Sequence, residues 1–275
     1  MLQDNTYASV SVIIPGYNCS QTIERAIRTV ASQTLKPYEV IFVDDKSQDR
    51  TLEVLYELQQ ELGNEWLKII QLEKNSGPSV ARNAGWSLAN SDYIAFLDAD
   101  DSWHPQKIEI QYQWMMNHSE CVLTGHLIAL DSDKNSRAVE LVSNCQVLPI
   151  RKRAFLLKNR FSTPTVMLKR TINLRFDSEQ RFAEDYLLWL RVISTYSNVF
   201  MIRHELAYIH KAAYGQGGLS EQLWEMEKGE LKTYKKIHAD GFINKFVYYF
   251  LVVFSLAKYV RRLLMAGLKS NASNP

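Results

Sequence analysis

Four short, almost entirely apolar segments alternate with helical patterns in the first hundred residues of this chain. The segments are "SVSVII" from Ser9, "EVIFV" from Glu39, "WLKIIQL" from Trp66 and "YIAFL" from Tyr93. Between them, apolar residues recur every three or four positions, which is the spacing of one buried helix face. Strands that are buried on both faces and joined by helices form a parallel sheet. We therefore expect an α/β fold with a Rossmann-like, mostly parallel sheet and flanking helices.

Polar and acidic residues follow three of these strands directly. The first strand ends in Pro15-Gly16-Tyr17-Asn18, the second in Asp44-Asp45, and the fourth in Asp98-Ala99-Asp100-Asp101. In open α/β sheets, ligands bind beyond the carboxyl ends of the strands. The sequence therefore predicts that these groups converge at one edge of the sheet.

The "DADD" sequence places Asp98, Asp100 and Asp101 at one strand end. Carboxylates this close repel one another unless a cation lies among them. Oxygen ligands in a loop suit Mg²⁺ or Mn²⁺, which usually share their coordination with substrate phosphates. The alternative is a helix cap before a helix near Pro105, but capping explains one acid and not three.

Two further segments carry polar groups with more than one interpretation. Asp44 and Asp45 suit hydrogen bonds from a nucleotide base or ribose, or are solvated acids beside a helix cap. In "NSGPSVARN", Gly77 permits close backbone approach and Arg82 has the reach to contact a phosphate. The alternative for this segment is a tight turn with a surface arginine.

A second acidic pair, Glu184-Asp185, begins a helical pattern in the second half of the chain. Acids at a helix N-terminus are favoured by the helix dipole, so this pair has a structural explanation. Beside a sugar-nucleotide site, one of them would instead be the general base. His210 is a metal ligand or a strand-end cap, and the glycine-containing loop 211–220 after it is expected to order over a ligand.

The overall composition excludes several classes of protein. A net charge of +2 gives no electrostatic case for nucleic acid. Three widely spaced cysteines form no disulfide framework, and the N-terminus lacks the pattern of a secretory signal, so we expect a cytoplasmic protein. The chain has no G-x-G-x-x-G after its first strand, no phosphate-binding P-loop and no G-x-S-x-G, which disfavours dinucleotide enzymes, P-loop enzymes and serine hydrolases.

Taken together, these motifs resemble those of inverting family 2 glycosyltransferases with the GT-A fold, of the type that makes bacterial polysaccharides. The motifs that carry the resemblance occur in family order over about residues 9–195: "SVIIPGYN", "SQT", "VIFVDDKSQDRT", "NSGPSVARNAG", "YIAFLDADDSW" and "AEDYLLWLRV". We expect a GT-A domain at 1–218, with a nucleotide-binding half at about 9–130 and an acceptor half at about 131–218. A C-terminal helical extension would occupy 219–275.

The resemblance also implies roles for individual residues. Asp45 would contact the base, Asp98 would face the ribose or the metal, and Arg82 would contact the donor's phosphate or sugar. Asp185 would be the catalytic base, with Glu184 as a second candidate. The remaining donor-binding residues would be Pro15, Tyr17, Asn18, Asp44 and Gly77, and the ligands of Mn²⁺ or Mg²⁺ would be Asp100 with Asp98, Asp101 and His210.

One position departs from the family pattern. Lys46 stands where the usual V-D-D-G-S sequence has glycine. The change adds charge to this loop and leaves its nucleotide contacts open.

The function implied is transfer of a sugar from a nucleoside-diphosphate sugar, with UDP the commonest nucleotide, to a saccharide or lipid-linked oligosaccharide. The acceptor alternatives are a polyprenyl phosphate and a protein. An alternative of another class is a catalytically silent module that binds sugar nucleotides. A nucleotidyltransferase is disfavoured, because its glycine-rich, arginine-containing loop after the first strand is missing.

The C-terminal apolar stretch "FVYYFLVVFSLA", residues 246–257, is shorter than the roughly 20 residues that span a bilayer. Two interpretations remain open. The helix packs on the catalytic domain or on a second subunit in a homodimer, or residues 243–269 lie peripherally on the cytoplasmic face of the inner membrane, with basic residues near anionic headgroups.

Overall fold

The predicted alternation of strands and helices builds one half of a nine-stranded sheet. A computed structural model describes residues 7–130, 142, 145–210 and 222–272. Four parallel strands lie in the order β3-β2-β1-β4. They are β1 (Tyr7–Gly16), β2 (Lys36–Asp44), β3 (Leu67–Gln71) and β4 (Tyr93–Phe96).

Three helices connect these strands: α1 (Ile23–Ala31), α2 (Thr51–Leu62) and α3 (Pro78–Leu88). The apolar positions expected to face inward do so, since Ile23, Ile27 and Val30 of α1 are fully buried. Helix α3 lies directly on the sheet. A Cβ atom added to Gly85 would come within 2.7 Å of Ile13 Cγ2, so only glycine permits this approach.

The second half of the sheet is mixed. It continues as β8-β6-β9-β5, with β7 also on β9. Strand β8 is antiparallel to β4 and β6, while β9 is parallel to β6 and antiparallel to β5 and β7. The strands and helices are β5 (Asp101–Trp103), α4 (Lys107–Asn117), β6 (Leu123–Leu130), β7 (Val147–Pro149), α5 (Lys152–Leu157), β8 (Met167–Lys169), α6 (Glu184–Tyr196) and β9 (Val199–Ile209).

One feature of this half differs from the pattern in the sequence. The segments "VFMI" and "LAYIH" would be separate short strands by their spacing, but they form the single strand β9. The charged residues between them do not interrupt the ladder with β6, which instead shifts register at His126–Ile128. The loop 211–220 lies outside the described residues.

Two C-terminal helices, α7 (Leu223–Ala239) and α8 (Lys245–Ala272), complete the chain as described. Helix α7 packs closely on the segment before α6, because a Cβ atom at Gly229 would lie 2.6 Å from the carbonyl oxygen of Phe182. Helix α8 lies on α7. Among the described residues, no helix combines the length and the apolarity needed to cross a membrane.

Candidate active site

The carboxyl ends of β1, β2 and β4 meet at one edge, where the sequence places its polar groups. The Asp45 N–H donates to the carbonyl oxygen of Gly16 (2.8 Å), and the Leu97 N–H donates to that of Ile13 (3.1 Å). Because these bonds join neighbouring strand ends, segments 15–18, 44–45 and 98–101 lie side by side. The structure thus brings together the donor-side candidates from these three segments.

The loop after β1 is tied to the loop after β2. The Asn18 N–H donates to Ser47 Oγ (2.9 Å), and Asn18 Oδ1 accepts the Gln48 N–H (2.8 Å). Asn18 has a left-handed backbone, with φ of 49°. Its neighbour Tyr17 is 47% exposed while Pro15 is buried, and the contact of either residue with a nucleotide remains a prediction.

Both acids at the end of β2 are buried and already hydrogen-bonded. The Asp44 carboxylate accepts the Ser47 N–H, and the two oxygens of Asp45 accept the N–H groups of Ser76 and Gly77, each at 2.7 Å. Gly77 has φ of 87° and precedes α3. Asp45 therefore fixes the loop that begins α3, and its contact with a nucleotide base remains a prediction.

Lys46 occupies a backbone conformation that favours glycine, with φ of 69°. A non-glycine residue in this conformation destabilises the folded protein by about 1–2 kcal/mol. Glycine would remove this strain, but it would also increase the entropy of the unfolded chain, which offsets part of the gain. We expect Lys46→Gly to raise the free energy of unfolding by about 0.5–1 kcal/mol, measured by urea denaturation. Lys74→Gly is the matched control, because Lys74 is also exposed but has no positive φ. Equal or lower stability of Lys46→Gly would contradict the expected strain.

Arg82 joins the donor side of the site to the start of α6. Its Nη2 donates to Asp98 Oδ1 at 2.8 Å, and its Nη1 donates to Glu184 Oε1 at 3.0 Å. The side chain is only 6% exposed and lies over the Phe176 ring. Burial lowers the pKa of Arg82, but the two carboxylates raise it by more, so the group stays charged. The predicted contact between Arg82 and the donor remains a prediction, and the structure adds a bridging role.

The three acids after β4 form a tight turn. The Asp101 N–H donates to the carbonyl oxygen of Asp98 (3.1 Å), and Arg25 Nη2 donates to that of Asp100 (2.7 Å). Antiparallel pairing of β5 with β9 sets Asp101 opposite Ile209, so His210 comes next to this turn. Its Nε2 lies 2.7 Å from Ser102 Oγ.

The chemistry of these groups is compatible with a divalent cation. Within the described residues, no three His, Cys, Asp or Glu side chains form a complete metal site. Mn²⁺ and Mg²⁺ take oxygen ligands and are often held by one or two carboxylates together with substrate phosphates. Asp98 and Asp100 at this turn fit that arrangement, with Asp101 and His210 beside them.

Asp185 lies in the first turn of α6 beside Glu184. Its Oδ2 accepts the amide of Asn159 at 3.1 Å, and its Oδ1 accepts the Tyr186 N–H at 2.6 Å. Burial and the neighbouring Glu184 charge raise the pKa of Asp185 to about 7, against the lowering effect of these hydrogen bonds and of Arg82. A carboxylate with this pKa accepts a proton effectively near neutral pH.

Helix α7 holds the segment that leads to Asp185. The buried Gln180 side chain donates to the carbonyl oxygen of Ala183 (3.2 Å) and to Thr233 Oγ1 (2.8 Å). Ala183 has a left-handed φ of 56°, a strained conformation that these bonds help to hold. Sequence reasoning missed Gln180, Thr233, Asn159 and Arg25, because none of them lies in a motif and each acts through distant contacts.

A cleft of about 260 Å³ opens beside this assembly, between the loop before α3 and the segment before α6. Asn75, Ser76 and Gly77 line one side, and Glu179 and Arg181 line the other. The Asp45 carboxylate fixes the first side and Gln180 fixes the second. The walls of the cleft are therefore set by hydrogen bonds of the buried Asp45 and Gln180 side chains.

Comparison with known proteins matches residues 11–180, more than half of the chain, to the model named Glycosyl transferase family 2. TuaG of Bacillus subtilis (strain 168), a glycosyltransferase assigned to teichuronic acid biosynthesis, is 43% identical over 110 residues, which is 40% of this chain and 43% of TuaG. WfgD of Escherichia coli is 33% identical over 186 residues, covering 67% of this chain and 69% of WfgD. WfgD is named a UDP-Glc:α-D-GlcNAc-diphosphoundecaprenol β-1,3-glucosyltransferase.

Solved structures share the fold. S. aureus TarS 1–349 in complex with UDP-GlcNAc superposes with a TM-score of 0.68 at 18% identity, over 90% of this chain and 71% of that one. The mannosyltransferase PcManGT from Pyrobaculum calidifontis, in complex with GDP-Man and Mn²⁺, has a TM-score of 0.64 at 16% identity, over 98% and 82% of the two chains. At these identities the likeness shows the architecture, a GT-A sheet flanked by helices.

Proposed function

The chain belongs to glycosyl transferase family 2, and from this premise we propose that it is a metal-dependent, inverting transferase. It moves a sugar from a UDP-sugar to a hydroxyl group of a saccharide or a lipid-linked oligosaccharide during synthesis of a cell-surface polysaccharide.

The bridge made by Arg82 carries this proposal. One guanidinium contacts Asp98, at the end of β4, and Glu184, the residue before the proposed base. One side chain thus joins an acid proposed to hold the donor to the residue that precedes the proposed base in the chain. A buried carboxyl group with a raised pKa beside this bridge is what a general base requires, whereas nucleotide binding alone does not require it.

On the donor side, we assign the base to the surface of Tyr17 and to the loops that Asp45 and Asn18 hold in place. The diphosphate would lie above the turn Asp98–Asp101. Arg25, which contacts the carbonyl oxygen of Asp100, adds a positive charge at this turn. A divalent ion held by Asp100 and Asp98 would act as a Lewis acid that neutralises charge on the departing diphosphate.

On the acceptor side, Asp185 is proposed to remove the proton of the attacking hydroxyl group. The acceptor oxygen forms a bond to the anomeric carbon while the bond from that carbon to the diphosphate oxygen breaks, and the electron pair leaves with the nucleotide. Asn159 holds Asp185 Oδ2 and so orients the carboxylate toward the acceptor. A single displacement through an oxocarbenium-like transition state inverts the anomeric configuration.

The relatives support a particular substrate class. WfgD is named for transfer from UDP-Glc to a sugar on diphosphoundecaprenol, and TarS 1–349 is described with UDP-GlcNAc. We therefore propose a UDP-hexose donor and an acceptor sugar that is carried on a lipid diphosphate. Such an acceptor resides in a membrane, so the enzyme would work as a peripheral protein on the cytoplasmic face of the inner membrane.

A transfer assay tests the proposal. The full chain would be incubated with Mn²⁺ and UDP-glucose, UDP-GlcNAc or GDP-mannose, with GlcNAc on a lipid diphosphate or on a short soluble diphosphate ester as acceptor. We expect one UDP-sugar to give a product of increased mass, whose NMR coupling shows inversion. If the protein binds the nucleotide but neither transfers the sugar nor hydrolyses the donor, the result would support the silent module. A product with retained anomeric configuration would contradict a single displacement.

A further inference from the structure

Helix α8 packs on α7 with a mixed polar and apolar face and leaves a second, apolar face exposed. The face that packs on α7 carries Ser255, which is fully buried, together with two cations in ion pairs. Lys258 Nζ lies 2.5 Å from Glu230 Oε1, and Arg262 Nη2 lies 2.9 Å from Glu227 Oε2. Among the side chains of α8 that the structure describes, residues 245–265, Leu251 is the one large apolar side chain that is nearly fully buried. Both ion pairs and the packing of Leu251, Val247 and Tyr248 on the core therefore hold α8 against the protein.

The opposite face of α8 is apolar and exposed. Phe246 is 82% exposed and Val253 is 67% exposed. With three other exposed residues they recur at intervals of three, four and seven, which places them on one side of a helix. This outer stripe consists of Phe246, Phe250, Val253, Val260 and Leu264. Large apolar side chains on an outer helix face indicate contact with something other than water.

The charged residues of α8 are all basic. The 28 residues of α8 contain five lysines and arginines and no acid. Lys245 and Arg261 are exposed beside the stripe. Segment 151–160 lies next to α8, because Lys258 Nζ contacts the carbonyl oxygen of Leu157 at 3.4 Å. This segment carries four further exposed cations. Those cations are Arg151, Arg153, Lys158 and Arg160.

This combination favours an anionic bilayer over a second copy of the chain. In a symmetric contact through the outer stripe, cations of one copy would approach cations of the other with no acid of α8 between them. A bilayer surface accepts apolar side chains at the depth of the acyl chains and cations at the headgroups. The length of α8, about 42 Å from 28 residues, suits a helix that lies in the plane of the surface.

The same surface is connected to the proposed base. Asn159, which holds Asp185 Oδ2 at 3.1 Å, lies between the exposed cations Lys158 and Arg160. A lipid-linked acceptor in a bilayer at α8 would thus present its sugar on the side of the molecule where Asp185 lies.

We propose that the outer stripe of α8, with the basic residues beside it and in segment 151–160, seats the protein on the surface of an anionic phospholipid bilayer. The role in acceptor delivery rests on the proposed function, whereas the seating itself does not.

Flotation with vesicles tests the inference. The full chain would be mixed with vesicles of phosphatidylcholine alone or of phosphatidylcholine with phosphatidylglycerol, at low and high salt. We expect flotation with the anionic vesicles that weakens with salt, and a fall of about tenfold or more in the partition coefficient for Phe250→Glu/Val253→Glu. The matched control is Tyr38→Glu/Tyr56→Glu, which alters two exposed aromatic side chains of β2 and α2 and should float like the parent.

The outcomes separate this inference from the proposed function. Equal flotation of the parent and the α8 variant, or a stable dimer that the α8 variant dissociates and that does not float, would overturn the bilayer contact. Transfer to the short soluble acceptor should be unchanged in the α8 variant. Flotation without any transfer would support the bilayer contact and contradict the proposed function. Transfer without flotation would support the proposed function and contradict the bilayer contact.

Discussion

Asp185→Asn is expected to lower kcat for sugar transfer by about a thousandfold, the middle of the range attributed to a general base. The asparagine retains the shape of the side chain, and its single oxygen accepts one of the two hydrogen bonds that Asp185 receives from Asn159 and Tyr186. It cannot accept the proton of the acceptor hydroxyl. Binding of UDP should be unchanged, because Asp185 lies on the acceptor side of the Arg82 bridge. Asp92→Asn is the matched control. Asp92 directly precedes β4 and accepts a hydrogen bond from Ser9 of β1, so it lies at the amino ends of these strands, away from the site. Loss of less than about tenfold would remove Asp185 as the base.

The pH dependence of the parent provides an independent check on the same residue. The base must be ionised, and its pKa is raised to about 7 by burial and by Glu184. We therefore expect kcat/KM to rise with pH up to an inflection near 7. An inflection at about 4–5, the ordinary range of a carboxyl group, would contradict the assignment.

Stability separates loss of chemistry from loss of fold in this variant. Because the pKa of Asp185 is higher in the folded protein than in the unfolded chain, folding takes up a proton between about pH 4 and 7. The contribution to stability is present at low pH and is lost as pH rises through 7. At pH 8, Asp185→Asn should thus unfold at a temperature no lower than that of the parent.

Arg82→Ala is expected to lower the free energy of unfolding by about 3–5 kcal/mol, because it leaves Asp98 and the buried Glu184 without their shared cation. The effect should be visible in urea denaturation at pH 7. Arg50→Ala is the control: the Arg50–Glu53 pair is mostly exposed, so its loss should cost about 1 kcal/mol or less.

A double variant tests the reason for that loss. Arg82→Ala/Glu184→Gln removes one of the two charges that the guanidinium compensates, so it should recover part of the stability. A loss below about 1 kcal/mol for Arg82→Ala, or no recovery in the double variant, would show that the bridge has little effect on folding.

The parallel half of the fold was predictable from the sequence because its signals are local. Ile13 and Phe96 lie in apolar runs, and the helices between them have one buried face. Since parallel strands bring their carboxyl ends together, the meeting of Asp45 with Gly16 and the position of Asp98 followed from the pattern alone.

The rest of the site depends on contacts that no local pattern records. Arg82 bonds to a residue 102 positions away, and His210 reaches Ser102 across 108 positions. Strand β5 has only three residues and is held by β9, so its existence follows from pairing and not from propensity. Which face of α8 is exposed was not visible in its sequence either, since it depends on which side α7 covers.

The most direct test of the central claim is a thermal-shift measurement with UDP, in the presence and absence of Mn²⁺. The account predicts that UDP raises the Tm of the parent and of Asp92→Asn in a Mn²⁺-dependent manner, and that Asp100→Asn loses this dependence while remaining folded. Stabilisation by UDP that is equal without the metal, or that persists in Asp100→Asn, would contradict a cation between the acids after β4 and the donor diphosphate.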